Sequence, residues 1–172
     1  MSYSISRLGG EAVALAEQLH GVYVEAFAAD GPEAAAHWRD ETLPTHATRP
    51  GFRLVLAQSP EIVGFGYGYT GEPGQWWTDR VARLVPAAQL DGWLGGHFEV
   101  VELAVRPAHQ RRGIGAALMD CLLAGLPHRA ALLSTYRHDT PARRLYLRQG
   151  WQVLVDALDG DSSLLGKQLP GR

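Results

Sequence analysis

The stretch Val100–Leu118, VVELAVRPAHQRRGIGAAL, decides how this chain is read. Within the β-prone run His97–Val105, its first six residues form the end of a strand that stops at Val105. Arg106-Pro107 closes the strand. Gln110-Arg111-Arg112-Gly113-Ile114-Gly115-Ala116 then leads into an apolar helix that reaches Ala124 and is ended by Gly125 and Pro127. Strand, short loop and helix in this order make an anion cradle. The first helical turn has N–H groups without an intrahelical acceptor, and glycines let a phosphate come against them. The helix dipole adds partial positive charge, and Arg111 and Arg112 add whole charges at the rim.

Two familiar phosphate cradles fail on this segment. A Walker loop requires Gly-Lys-Ser/Thr, which is absent. A dinucleotide fingerprint requires a third glycine where Leu118 stands and an acidic residue near Leu133. The segment resembles instead the acyl-CoA loop of the GNAT superfamily of N-acetyltransferases, Gln/Arg-x-x-Gly-x-Gly/Ala. Gln110, Gly113 and Gly115 match it position for position. Downstream, Asp139-Thr140-Pro141-Ala142-Arg143-Arg144-Leu145-Tyr146-Leu147-Arg148-Gln149-Gly150-Trp151 is similar to the family's second motif, Asn-x-x-Ala-x-x-Leu-Tyr-x-x-x-Gly-Phe. Ala142, Leu145, Tyr146 and Gly150 match, with Asp139 in place of Asn and Trp151 in place of Phe.

The resemblance implies a residue-by-residue assignment. Backbone N–H groups of Arg111, Arg112, Gly113, Ile114, Gly115 and Ala116, with Gln110 leading in, would hold the pyrophosphate of acetyl-CoA. Backbone of Leu103 and Val105 would meet the pantetheine arm and the acetyl carbonyl. Asp139 stands where an amide commonly touches the cofactor, and a carboxylate there could instead cap the next helix. Tyr146 occupies the position of the acid that protonates the leaving thiolate. The chemistry asks for these groups. An amine of pKa ~10 must lose a proton before it attacks, and a phenol of pKa ~10 can protonate a thiolate of pKa ~8.5. Glu102 is the first candidate base and Glu99 the second, since both lie on the strand beside the acetyl group. Strict alternation sets the two on opposite faces. The bland readings are a packed Tyr146 and edge or cap carboxylates.

Outward from this core, Ser4–Leu8, Arg53–Ala57, Ile62–Tyr69, Ala130–Thr135, Trp151–Val155 and Ser163–Leu169 read as further strands. Helical spacing covers Glu11–Ala28, Pro32–Arg39, Thr78–Trp93 and Thr140–Gln149, the last opened by a Thr-Pro cap. Gly64, Gly66 and Gly68 alternate with aromatic residues, inviting close approach by a backbone or ligand. The fold expected is α+β (mixed α/β) and GNAT-like. Its central sheet is mixed, mostly antiparallel and twisted, with about seven strands flanked by about four helices. Residues 1–172 are expected to form one domain, with an acceptor-site half over about 1–96 and an acyl-CoA core over about 97–155.

Composition narrows the function. The chain is 46% hydrophobic and 20% charged with a net charge of -2, which excludes a disordered chain and a nonspecific nucleic-acid binder. Residues 1–100 carry 6 Lys+Arg against 12 Asp+Glu, and residues 101–172 carry 10 against 6. The basic part coincides with the two motifs. One cysteine, Cys121, allows no internal disulfide, and seven histidines without ligand spacing predict no metal site. No secretory leader and no apolar run of membrane length is visible, so a cytoplasmic protein is expected. Trp76 and Trp77 are candidates for lining an acceptor pocket or for anchoring an insertion. The expected function is transfer of acetyl from acetyl-CoA to an amine of a small molecule or peptide, by direct attack in a ternary complex. A non-catalytic acyl-CoA-binding sensor or partner module is the alternative. No nucleic-acid or membrane partner is expected, and the resemblance is compatible with a homodimer through the C-terminal strands.

Overall fold

The computed structural model describes residues 2–170. Seven strands form one sheet in the order β1-β2-β3-β4-β5-β7-β6. They are β1 (Ser4–Leu8), β2 (Arg53–Gln58), β3 (Ile62–Gly71), β4 (His97–Val105), β5 (Ala130–Tyr136), β6 (Gln152–Asp159) and β7 (Ser162–Gln168). The sheet is mixed, as expected of an α+β chain. β4 and β5 run parallel at Phe98↔Ala131 and Glu99↔Leu132, whereas β1/β2, β2/β3, β5/β7 and β6/β7 are antiparallel. Cα packing divides the chain into two units that exchange inside β3 and β4.

The first unit comprises the chain up to Tyr69 and Val101–Ala124. The expected helix over Glu11–Ala28 begins instead as a 3-10 segment, Gly10–Leu15, and becomes α1 only at Ala16–Ala26. Its opening is held by the Glu11 carboxylate, which accepts from Gly9 N at 2.9 Å. The next helix, α2 (Gly31–His37), does not stop near Arg39. It continues through a π-helical turn, Trp38–Thr42, into α3 (Leu43–Ala47), so Pro44, which has no N–H to donate, directly follows the irregular turn. This continuation buries Ala35, Trp38 and Leu43.

β3 has two chemically different faces. Phe65, Tyr67 and Ala104 pack with Tyr23, Trp38 and Leu43 in one aromatic cluster. The glycines face the other way: a Cβ on Gly64 would come within 2.9 Å of Ala104 O and 3.2 Å of Leu118, and one on Gly66 would meet Leu103 at 3.1 Å. Close backbone approach is thus used for strand and helix packing. Leu118 belongs to α6 (Ile114–Leu123), whose last carbonyls are covered by two arginines. Arg53 reaches Leu122 O (2.9 Å) and Ala124 O (2.8 Å), and Arg7 reaches Cys121 O (3.0 Å). Cations at a helix C-terminus satisfy orphan acceptors and oppose the dipole.

The second unit comprises Thr70–Val100 and the chain from Gly125 onward. The expected helix Thr78–Trp93 is two helices, α4 (Trp76–Leu84) and α5 (Ala87–Leu90), because Pro86 forces Val85 out of the α region. Val81, Val85 and Leu90 pack with Leu158 and Leu164. The Trp93 ring packs against Gly166, where a Cβ would sit 2.6 Å from it. His97 likewise packs against Gly71, leaving no room for a side chain there. In α7 (Pro141–Arg148), Thr140 Oγ1 accepts from Arg143 N at 3.1 Å and Gly150 (φ +82°) ends the run.

Candidate active site

In the first unit, the loop after β4 is built around two left-handed residues. Gln110 Nε2 donates to Val105 O at 3.0 Å and pins the loop to the strand end. Arg111 has φ +59°, the only non-glycine positive φ among the described residues, and Gly113 has φ +80° at the N-cap of α6. Successive backbone N–H groups around left-handed residues converge into an anion-binding concavity. A left-handed arginine is a small store of strain, which such sites retain. No heavy atom lies within 4 Å of a Cβ placed on Gly113, so it is conformation, not crowding, that selects glycine there. Arg111, Arg112 and Gly113 are exposed and Ile114 is buried, so the loop faces solvent while its helix is anchored by the core. Arg106, in contrast, is structural. It donates to Ile62 O at 3.0 Å and pairs with Glu25.

Glu102 lies on the aromatic face. The Arg106 N to Val63 O bond (2.8 Å) and the contacts of Gly64 and Gly66 with β4 set Tyr67 opposite Glu102 on the neighbouring strand. Glu102 is partly covered, and burial pushes its carboxyl up to about 8, with Asp30 adding like-charge repulsion. Tyr67 is 0% exposed. Its hydroxyl accepts from Trp38 Nε1 at 3.3 Å and lies 3.0 Å from His46 Nδ1. Burial holds the Tyr67 phenol well above its ordinary range, and Glu102 adds to this. Burial, then Arg49, pushes His46 down to about 4, so its imidazole is neutral at pH 7 and Nδ1 shares a hydrogen bond with the Tyr67 hydroxyl. Tyr23 is raised to about 12 by burial, Glu102 and Asp30. Tyr69 and His46 make an edge contact at 5.0 Å, and Arg49 lies over the Tyr69 ring.

In the second unit, Glu99 is 4% exposed, in the part of β4 that pairs with β5. Tyr146 lies on the buried side of α7, 8% exposed, with its ring 6.0 Å from Trp151. Asp139 does not cap α7. Thr140 does so, and Asp139 pairs with Arg144 at 2.5 Å. The two tryptophans part company. Trp77 Nε1 donates to Ser134 Oγ at 3.2 Å and anchors α4 on β5, whereas Trp76 is 68% exposed with Arg80 over its ring at 5.3 Å. Cys121 is half-buried. Among the described residues, no group of three or more His, Cys, Asp or Glu is placed to hold a metal ion, and no helix is long and apolar enough to cross a membrane.

The structure therefore places Glu102 and the residues 110–116 within the first unit and adds Tyr67, His46, Tyr69 and Arg49, which sequence reasoning did not single out. The Phe65-Gly66-Tyr67-Gly68-Tyr69 alternation was a usable signal, since period two puts all three rings on one face. His46 and Arg49 had none, because the turn Trp38–Thr42 brings them there.

The family model for the GNAT acetyltransferases matches residues 14–151. A GCN5-like protein acetyltransferase of Mycobacterium tuberculosis is 36% identical over 180 aligned positions, which cover 96% of this chain and 78% of that one. An acetyltransferase of Thermus thermophilus shares the fold with a TM-score of 0.67 at 21% identity, covering 98% of both chains. The PaiA N-acetyltransferase of Thermoplasma acidophilum, solved in complex with coenzyme A, does so with a TM-score of 0.60 at 16% identity over 98% of this chain and 99% of that one. Loop, strand order and relatives agree: the chain belongs to the GNAT family and is an acetyltransferase.

Proposed function

We propose that the protein is a cytoplasmic N-acetyltransferase that moves the acetyl group of acetyl-CoA to an amine by direct attack in a ternary complex. The observation that carries this reading is the loop 110–116, whose left-handed Arg111 and Gly113 open backbone N–H groups at the start of α6. That cradle suits the coenzyme pyrophosphate, with Arg111 and Arg112 adding charge. Backbone of Leu103 and Val105 then serves the pantetheine arm and the acetyl carbonyl.

Glu102 is the base. A carboxyl of pKa about 8 is ionised in about a tenth of molecules at pH 7, and is far better matched to an amine than an ordinary glutamate. Its face also carries Tyr67 and Tyr23, which supports Glu102 over the buried Glu99. The free amine attacks the thioester carbonyl, the C–N bond forms, and an N–H on β4 stabilises the oxyanion. Collapse breaks the C–S bond, Tyr146 gives the thiolate its proton, and the proton shed by the adduct nitrogen restores the phenol. This last role, and cofactor contact by Asp139, rest on the family resemblance. Trp77, bound to Ser134, is better read as an anchor than as acceptor lining, which leaves Trp76 as the exposed candidate. The Mycobacterium relative is named a protein acetyltransferase, which supports a peptide amine as acceptor.

Melting with acetyl-CoA, coenzyme A and ATP, together with thiol release over an amine and peptide panel, tests the reading. A rise with both coenzyme forms but not ATP, and amine-dependent thiol release, is expected. No shift with coenzyme A sinks it. Tyr146→Phe should slow thiol release while the coenzyme-induced shift persists, and a normal rate would return Tyr146 to a packing role.

A further inference from the structure

Arg49 is the charge on the aromatic face that the proposed reaction, with its coenzyme loop and Glu102 as base, leaves unused. It follows α3 in a loop fixed by its own backbone, with Arg49 N donating to His46 O at 3.0 Å and Phe52 N to Arg49 O at 3.2 Å. The side chain is half-buried. Its guanidinium carbon lies 4.5 Å from the Tyr69 ring centroid, and one N–H donates to the Tyr69 hydroxyl. Stacking on a ring fixes the plane of a guanidinium and hence the direction of its fork.

Other partly covered arginines of the same unit are paired with carboxylates or held on helix carbonyls. Arg39 pairs with Asp40 and Glu17, Arg106 pairs with Glu25, and Arg53 covers the α6 carbonyls. Among the described residues, Arg49 pairs with no carboxylate, and the Tyr69 phenol takes one of its five N–H donors. The neighbouring imidazole of His46 is neutral and directed to Tyr67, so it supplies no counter-charge. A half-buried, oriented and unneutralised guanidinium is matched to a carboxylate, which it grips in bidentate fashion. Its place on the face is also defined. Tyr69 follows Tyr67 by two residues along β3, roughly 7 Å on the same side, and Tyr67 lies opposite Glu102.

We propose that Arg49 is an anion subsite of the acceptor site, taking a carboxylate that the acceptor carries about 7 Å from its reacting amine. This rests on the reading of Glu102 as base. A short ω-amino acid meets the requirement, as does a peptide amine with an acidic side chain beside it. The shared chemistry is an amine and a carboxylate held at a fixed separation.

The test compares matched acceptors: ω-aminovalerate against pentylamine, and a lysine peptide with a flanking Glu against the same peptide with Gln. Wild type should favour one or both carboxylate partners by about tenfold or more in kcat/KM. The pair that shows the preference names the source of the carboxylate. Arg49→Gln should bring that ratio toward one, with Arg49→Lys between the two. Equal use of both partners in each pair by wild type, or a ratio that Arg49→Gln does not alter, overturns the proposal. A second readout is independent of turnover. The Nε–H resonance of Arg49, assigned by its loss in Arg49→Lys, should move with whichever carboxylate acceptor binds and stay in place with its uncharged partner. A resonance indifferent to both carboxylate acceptors overturns the subsite. A resonance that moves while no amine is acetylated removes the acetyl-transfer reading and leaves the subsite standing.

Discussion

Glu102, the base we propose, has its carboxyl moved by burial to about 8, into the range where a base can meet an amine near neutral pH. In wild type, kcat/KM for an amine should therefore rise with pH and level off above about 8. Glu102→Gln should lower it by about 100-fold or more and remove that limb, as a pH series of initial rates would show. Retention of the limb would transfer the base role elsewhere. Gly113 acts through conformation. An L-residue at φ +80° is strained by about 1–2 kcal/mol, and a carboxylate there also repels phosphate. Gly113→Glu should weaken coenzyme A binding by about two orders of magnitude, with Gly113→Ala losing less, measurable by titration calorimetry. That Gln110, Gly113 and Gly115 lie where β4 gives way to α6, and Glu102 on β4, was legible in the sequence because local spacing decides it. The raised pKa of Glu102 was not, since it depends on what α1, α2 and β3 bring against it.

Among the elements, those opened or closed by turn residues were read correctly. β4 and its Arg-Pro stop, α6 after Gly113, and α7 between Thr140-Pro141 and Gly150 all obey local rules of capping and left-handed conformation. The cap on α7 has a measurable consequence. Thr140→Ala should destabilise the protein by about 1 kcal/mol, seen as a fall in melting temperature of roughly 2–4 °C. Helices whose ends depend on packing were misread. Trp38 and Leu43 draw the chain past Arg39 into α3 because their burial outweighs the irregular π-helical turn between them. The split of α4 from α5 was available in Val85-Pro86, since proline restricts the residue before it, yet the apolar spacing across it masked the signal.

Across the whole molecule, buried titratable groups pull stability in opposite directions with pH. His46 and His97 have folded pKa values pushed down to about 4 by burial, with Arg49 and His128 respectively adding to the shift. Their contribution is present above the ordinary value of 6.5 and is lost as pH falls from there toward 4. Glu102 is raised, so its contribution is full below the ordinary 4.5 and is lost as pH climbs toward 8. Glu102→Gln should accordingly melt higher than wild type at pH 8, with the gap closing toward pH 5. A gap independent of pH would mean that Glu102 is ionised throughout. The sequence by itself determined the succession of strands, the glycine turn between β4 and α6 and the family, because turn chemistry and glycine conformation act within a few residues. Only the tertiary structure decided which residues share the face of Glu102. The approach of His46 to Tyr67 and of Arg49 to Tyr69 comes from strand register and from burial that no local pattern encodes.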